Sequence, residues 1–218
     1  LVMPGVIDPH VHFELRSRGT VTADDFASGT QCAAAGGVTT VIDYADHVPR
    51  MTLSQCAVAR VSEISPQAAV DYAVHQNCIR LASDIGYQLA ELRRAGIASV
   101  KVFTTYKDAG YMLEGGDLEV LLREAKRHGV LVTVHAEDDA LIEQARGRLE
   151  AARRVSPAHH GQSRPAEAEE RAVRNVIAAA GAADAPVYFV HVSTRGAMQA
   201  IAEARREGQH VLAETCPH

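Results

Sequence analysis

Short runs of β-branched residues alternate with helical segments along the whole 218-residue chain, and this alternation restricts the fold more than any other feature. The strand candidates are residues 2–11, 38–44, 69–75, 98–104, 130–135, 187–192 and 210–215. Helical patterns occupy residues 25–35, 88–95, 118–128, 140–153, 166–180 and 196–207. Gly36-Gly37, Gly96, Gly129 and Gly208 each follow a last helical residue, where a residue free to turn left-handed ends a helix. The strands read as continuous apolar runs, the pattern of strands covered on both faces. Repeated β-α units of this kind predict a parallel sheet, either open and doubly wound or closed into a (β/α)8 barrel.

The positions of the reactive side chains favour the barrel. His10, His12, Lys101, His135 and His191 all fall in or at the end of a strand candidate. A barrel collects catalytic groups in this way, from the C-terminal ends of many strands. An open sheet with a nucleotide site should show a glycine-rich turn after its first strand, and the sequence has none. The expected fold is therefore a TIM-type (β/α)8 barrel, truncated after about seven strands, with residues 1–218 forming one incomplete catalytic barrel. The opening Leu1-Val2-Met3-Pro4-Gly5 reads as the middle of a fold, and an eighth strand is expected beyond His218. Residues 137–186 form a long connection with no strand of their own, as expected of a binding face or a subunit contact.

A hydrophobic content of 47% supports a substantial core without disulfide staples. The net charge of −5 and the interleaving of acids and bases, as in Glu203-Ala204-Arg205-Arg206-Glu207, argue against nucleic acid or an anionic membrane as partner. Cys32, Cys56, Cys78 and Cys216 are dispersed with no CxxC pair, so a reducing cytosol is the simplest setting. No uninterrupted apolar stretch is long enough to span a bilayer.

The chemistry begins with Asp8-Pro9-His10-Val11-His12. Two histidines one residue apart on a strand point to the same side, and two neutral imidazoles aimed at one point make half of a zinc site. Two ordinary, partly buried histidines are the alternative for a bare HxH. His135 and His191 each end an apolar run, where a lone histidine would be a hydrogen-bonded core residue, but four at strand ends of one barrel can come within reach of one another. His47, His75, His128, His159, His160, His210 and His218 lack this combination and are read as surface or structural. His128 precedes the helix-stopping Gly129, where a cationic ring suits the helix dipole.

Lys101 lies in Val100-Lys101-Val102-Phe103, where an unpaired ammonium is costly to bury. A desolvated lysine gives up its proton and becomes a nucleophilic amine, whereas a lysine paired with a carboxylate or snorkelling to the rim would stay charged. A free cation is no metal ligand, so a role at a metal requires its conversion to an anion.

These residues resemble the amidohydrolase superfamily and, within it, the dihydropyrimidinase and hydantoinase group. The landmarks are Asp8-Pro9-His10-Val11-His12-Phe13-Glu14, Gly36-Gly37-Val38-Thr39-Thr40, Ser99 through Lys107, Val134-His135-Ala136-Glu137, Ser163-Arg164-Pro165-Ala166-Glu167, Val190-His191-Val192-Ser193 and Glu214-Thr215-Cys216-Pro217. The resemblance implies that His10 and His12 bind the more buried of two zinc ions. It implies that Lys101, carboxylated by carbon dioxide, bridges both, and that His135 and His191 bind the second. Tyr106 matches the tyrosine that hydrogen-bonds the substrate carbonyl and its oxyanion, and Phe103 is expected beside it at the substrate. The implied reaction is attack of a metal-bridging hydroxide on the ring amide of a small cyclic substrate. The family's proton donor, an aspartate at the end of strand eight, is absent from these residues, as is the family's β-sandwich, so the 218-residue chain is expected to be inactive alone. A homotetramer is expected by the same resemblance.

Glu14 stands where dihydroorotases typically carry a carboxylate-binding arginine, which favours a neutral ring such as a hydantoin or dihydropyrimidine, although Arg16 is near. Residues 15–18 lack the group's usual apolar, proline-containing loop, which leaves the preference at the ring substituent open. An allantoinase or dihydroorotase, or a catalytically silent scaffold on the same barrel, are the alternatives.

Overall fold

The structure is a computed structural model describing residues 2–17, 19–113 and 116–217. It divides into two compact units: the chain to Cys78 with Tyr87–Val100, and Ile79–Gly86 with the chain from Lys101 onward. The reading of residues 15–18 is therefore described only to Ser17, and Arg18 and His218 lie outside the described residues.

In the first unit the chain runs through β1 (Val6–Asp8), a hairpin of β2 (Arg16–Ser17) and β3 (Thr20–Val21), α1 (Phe26–Ala35), β4 (Val38–Ala45), α2 (Leu53–Ile64), β5 (Asp71–Asn77), most of α3 (Ile85–Arg94) and the start of β6 (Ser99–Phe103). β1 pairs parallel with β4, Asp8 opposite Val41, and β4 pairs parallel with β5 from Thr40↔Asp71 to Ala45↔Gln76. Phe26, Leu53, Leu89 and Leu92 of the helices are fully buried, as are apolar strand residues such as Val41.

In the second unit come the rest of β6, α4 (Asp117–His128), β7 (Leu131–His135), α5 (Asp139–Ala151), a 3-10 turn at Pro157–His159, α6 (His160–Ser163), α7 (Ala166–Ala183), β8 (Val187–Phe189), α8 (Arg195–Arg206) and β9 (Val211–Ala213). β6, β7, β8 and β9 neighbour one another in that order, with β7–β8 and β8–β9 parallel. Strands that follow chain order, each joined to the next by a helix, are the winding of a (β/α)8 barrel, and seven of its strands are present among the described residues.

Local chemistry explains the helix ends. α4 has Asp117 and Glu119 in its first turn and Lys126, Arg127 and His128 in its last, matching the helix dipole at both ends. Gly129 then turns left-handed at φ 64°, and Gly37, Gly96 and Gly208 also have positive φ, as the sequence predicts. α2 is an element that the sequence reading passed over. Its signal was a capping box, with the Thr52 side chain accepting from the Gln55 amide and the Gln55 side chain accepting from the Thr52 amide.

Several strands are shorter than predicted, and two of these differences matter for the site. The first candidate, residues 2–11, is strand only at Val6–Asp8. Pro9 has no N–H to give a ladder, and the His10 amide turns back to Asp8 Oδ1 at 3.1 Å. β8 ends at Phe189, because His191 adopts φ 40°, which extended backbone does not allow.

Gly29, buried in the middle of α1, faces the Phe13 ring. A Cβ built there would lie 2.3 Å from Phe13 Cε1. Helix propensity alone would make Gly29→Ala stabilising by about 1 kcal/mol. The expected result is the opposite, a loss of about 1–3 kcal/mol in urea unfolding, because the added methyl overpacks against the ring.

Candidate active site

The predicted side chains fall into two groups, one in each unit. In the first unit His10 and His12 lie just beyond β1, and their Nε2 atoms face each other at 3.2 Å. They are not on a strand, so strand alternation does not bring them together. Their rings pack instead on Tyr44, with centroids 4.7 Å away in both cases.

The backbone of this segment is held at several points. The Val11 amide donates to Ile42 O at 3.0 Å, continuing the line of β4, and the His10 amide is held by Asp8. The Pro9 carbonyl is 3.1 Å from His75 Nε2, while His75 Nδ1 lies 2.5 Å from Ser99 Oγ. After His12, the Phe13 amide donates to Asp43 Oδ1 at 3.4 Å and the Phe13 carbonyl accepts from Arg60 Nη2 at 2.6 Å. Arg60 Nε in turn donates to Asp43 Oδ2 at 2.8 Å. His75, read from sequence as structural or surface, is structural and buried.

Asp43 is 1% exposed, and burial pushes its carboxyl up to about 6 against the opposing pull of Arg60. Burial disfavours the charge on Arg60, but Asp43 and Glu63 outweigh it and hold the guanidinium protonated. Removing either partner would strand a charge in an apolar setting.

In the second unit Lys101 occupies the middle of β6 and is 2% exposed. Burial lowers its amine to about 7, against the weaker opposing effect of the Glu214 carboxylate. Its Nζ lies 5.0 Å from the centre of the Phe103 ring. His135, the last residue of β7, and His191 pack edge to face with ring centroids 4.6 Å apart. Burial depresses the His135 ring, although the 2.7 Å contact of its Nε2 with Glu137 Oε2 works the other way. The Tyr106 ring lies tilted, its centroid 5.1 Å from that of His135 and 6.2 Å from that of Phe103. The exits of β6 and β7 are tied together, since the Thr104 hydroxyl donates to Glu137 O and the Glu137 amide donates to Thr104 Oγ1.

Among the described residues no three His, Cys, Asp or Glu side chains converge on one point. The imidazoles are paired two by two instead. The donor chemistry nevertheless fits metal ions: two imidazole nitrogens meet head to head, and a second imidazole pair shares its unit with an amine that loses its proton readily. His10, His12, His135, His191 and, once converted to an anion, Lys101 are the residues that could hold them.

Sequence reasoning missed Asp43, Arg60, Glu137 and Arg164 as supporting groups. Asp43 carried the same signal as Lys101, a charged residue within an apolar run. Glu137 and Arg164 sit inside motifs already singled out, whereas Arg60 had no signal because its helix was not expected. Among the described residues no helix is long and apolar enough to cross a membrane.

A family model described as the Amidohydrolase family matches residues 1–163. The D-hydantoinase of Geobacillus stearothermophilus is 37% identical over 217 residues, which is 99% of this chain and 46% of that protein. The dihydropyrimidinase of Rattus norvegicus is 32% identical over 215 residues, 98% of this chain and 41% of that one. Among solved structures, the dihydropyrimidinase from Brevibacillus agri NCHU1002 matches with a TM-score of 0.94 and 36% identity, covering 98% of this chain and 46% of the other. The chain spans about half the length of the curated relatives it matches.

The buried pair beside Phe13 generates a stability test. Arg60→Met should cost about 3–5 kcal/mol in urea unfolding, and adding Asp43→Asn should recover much of that loss. Asp43 binds its proton more tightly folded, at about 6, than at its ordinary value of 3.8. Its contribution to stability is therefore present below 3.8 and lost as pH rises through about 6. The difference in stability between the wild type and Asp43→Asn, measured across that window, should fall with rising pH.

Proposed function

Because the chain belongs to the amidohydrolase family, we propose that it forms part of the catalytic barrel of a hydrolase that opens cyclic amides, hydantoins or dihydropyrimidines. The observation that carries this reading is Lys101, an amine buried at the centre of a barrel strand with its proton loosely held at about 7. In its neutral form the amine adds to carbon dioxide, forming an N–C bond and releasing one proton. The product is a carbamate, an anion able to ligate a metal where the ammonium could not.

The proposed ligands are His10 and His12 in one unit and carboxylated Lys101, His135 and His191 in the other. When bound, two zinc ions would supply Lewis acidity that activates water and polarises the amide carbonyl. Tyr106 donates its phenolic proton in a hydrogen bond to the substrate carbonyl and to the oxyanion that develops on it. Phe103 offers an apolar wall to the ring, in contact distance of both Tyr111 and His135. His135 keeps a fixed ring orientation because Glu137 holds its Nε2.

Glu14 favours a neutral substrate. It follows Phe13 in the same turn, with φ 47° and its amide donating to Asp24 O at 2.9 Å. A carboxylate there would repel a substrate carboxylate. A cytosolic, homotetrameric enzyme is the accompanying proposal.

The test is an assay of the full-length protein on hydantoin, dihydrouracil, allantoin and dihydroorotate side by side, with zinc measured by elemental analysis. Bound zinc and turnover of hydantoin or dihydrouracil are expected. Dihydroorotate should react at least about tenfold more slowly, since one unfavourable charge contact of about 1.4 kcal/mol is a factor of ten. Fast dihydroorotate turnover would overturn the argument from Glu14. A protein with neither zinc nor turnover would be a silent scaffold. Lys101→Arg, which stays cationic and cannot be carboxylated, should lose zinc and turnover together.

A further inference from the structure

Arg164 touches two of the groups assigned above, from a place that the proposed chemistry leaves unused. It follows α6 in the long connection after β7, and its side chain is 23% exposed. Its Nη1 donates to Glu137 Oε2 at 2.6 Å, and the same carboxylate oxygen lies 2.7 Å from His135 Nε2. The guanidinium carbon sits 5.0 Å from the centre of the Tyr106 ring. Tyr106 itself is held at φ 66°, a backbone region that only firm surroundings maintain in a residue other than glycine.

We propose that Arg164 is a positioning residue that locks Tyr106 and His135 into one unit. Its planar face orients the phenol by a cation–π contact, while its N–H orients the carboxylate that orients His135. It also neutralises Glu137. Arg164 links this carboxylate to the phenol assigned to the oxyanion, bonded to the one and 5.0 Å from the ring centre of the other. An unbalanced anion there would oppose the charge that forms on the substrate, which acts on the transition state more than on the bound neutral ring.

This inference rests on the assignment of Tyr106 to the substrate carbonyl. The test uses the full-length protein with Arg164→Met, Arg164→Lys, Tyr106→Phe and the combination of Tyr106→Phe with Arg164→Met. Arg164→Met should lower kcat by about 10- to 100-fold, the scale of a slight misplacement of a reacting group, while KM and zinc content change little. In the Tyr106→Phe background the same change should have less than about a threefold effect, because the ring it aims no longer carries a donor. Arg164→Lys keeps the charge on Glu137 but not the guanidinium over the Tyr106 ring, and should restore part of the loss. Glu137→Gln should likewise relieve part of the Arg164→Met defect.

Equal losses on Arg164→Met with the tyrosine intact and in the Tyr106→Phe background would overturn the proposal, as would loss of zinc in step with activity. A second readout needs neither metal nor turnover: 3-fluorotyrosine at position 106 in the metal-free protein, read by fluorine NMR. Arg164→Met should shift and broaden that resonance, and an unchanged resonance would sink the clamp. A protein that opens no cyclic amide yet shows the fluorine shift would count against the catalytic reading and leave the clamp standing.

Discussion

An amine buried in the middle of a parallel strand sets the terms for the second unit. Lys101 has apolar neighbours on either side in β6, and water does not reach it. A protonated amine in that place would carry a large desolvation penalty. The Glu214 carboxylate offsets part of that penalty but is outweighed, and it is also engaged by the Tyr188 hydroxyl at 2.5 Å. The strand therefore leaves the Lys101 amine with its proton loosely held, at about 7. Packing and chemistry are linked here, because the apolar strand that makes the core also loosens the lysine's hold on its proton.

The other candidate site residues appear where backbone leaves a ladder. Pro9 ends β1 and delivers His10 and His12; Phe103 ends β6 and is followed by Tyr106; Phe189 ends β8 and is followed by His191. Tyr106 and His191 have left-handed backbones, as does Glu14 two residues after His12. Each costs of order 1 kcal/mol or more relative to relaxed backbone and persists because surrounding bonds over-determine it. Around Tyr106 those bonds are visible: its carbonyl accepts from the amides of Ala109 and Tyr111, and the Asp139 carboxylate accepts from the Thr105 hydroxyl.

The two units use the same device to stiffen their histidines. In each, a buried or half-buried carboxylate is paired with an arginine that comes from a helix or connection: Asp43 with Arg60, and Glu137 with Arg164. In the first unit the pair grips backbone, the amide and carbonyl of Phe13 next to His12. In the second it grips a side chain, the ring of His135. The difference follows from where the histidines sit. His12 is on a loop whose path must be fixed, whereas His135 closes a strand whose path is already set by its neighbours.

Much of this was legible before any coordinates. The alternation of apolar runs with glycine-stopped helices determined a parallel strand–helix winding, because continuous apolar strands need cover on both faces. His10, His12, Lys101, His135 and His191 stood out only in combination, as imidazoles at strand-candidate ends and a charge in an apolar run, and the resemblance alone implied their roles as ligands. Tertiary structure alone decided how they are held. Strand alternation did not bring His10 and His12 together; a proline-terminated ladder and the Tyr44 ring did. Arg60 and Arg164 reach their carboxylates across 17 and 27 residues of sequence. No local pattern encodes such pairings, since they exist only once distant helices and strands have packed against one another.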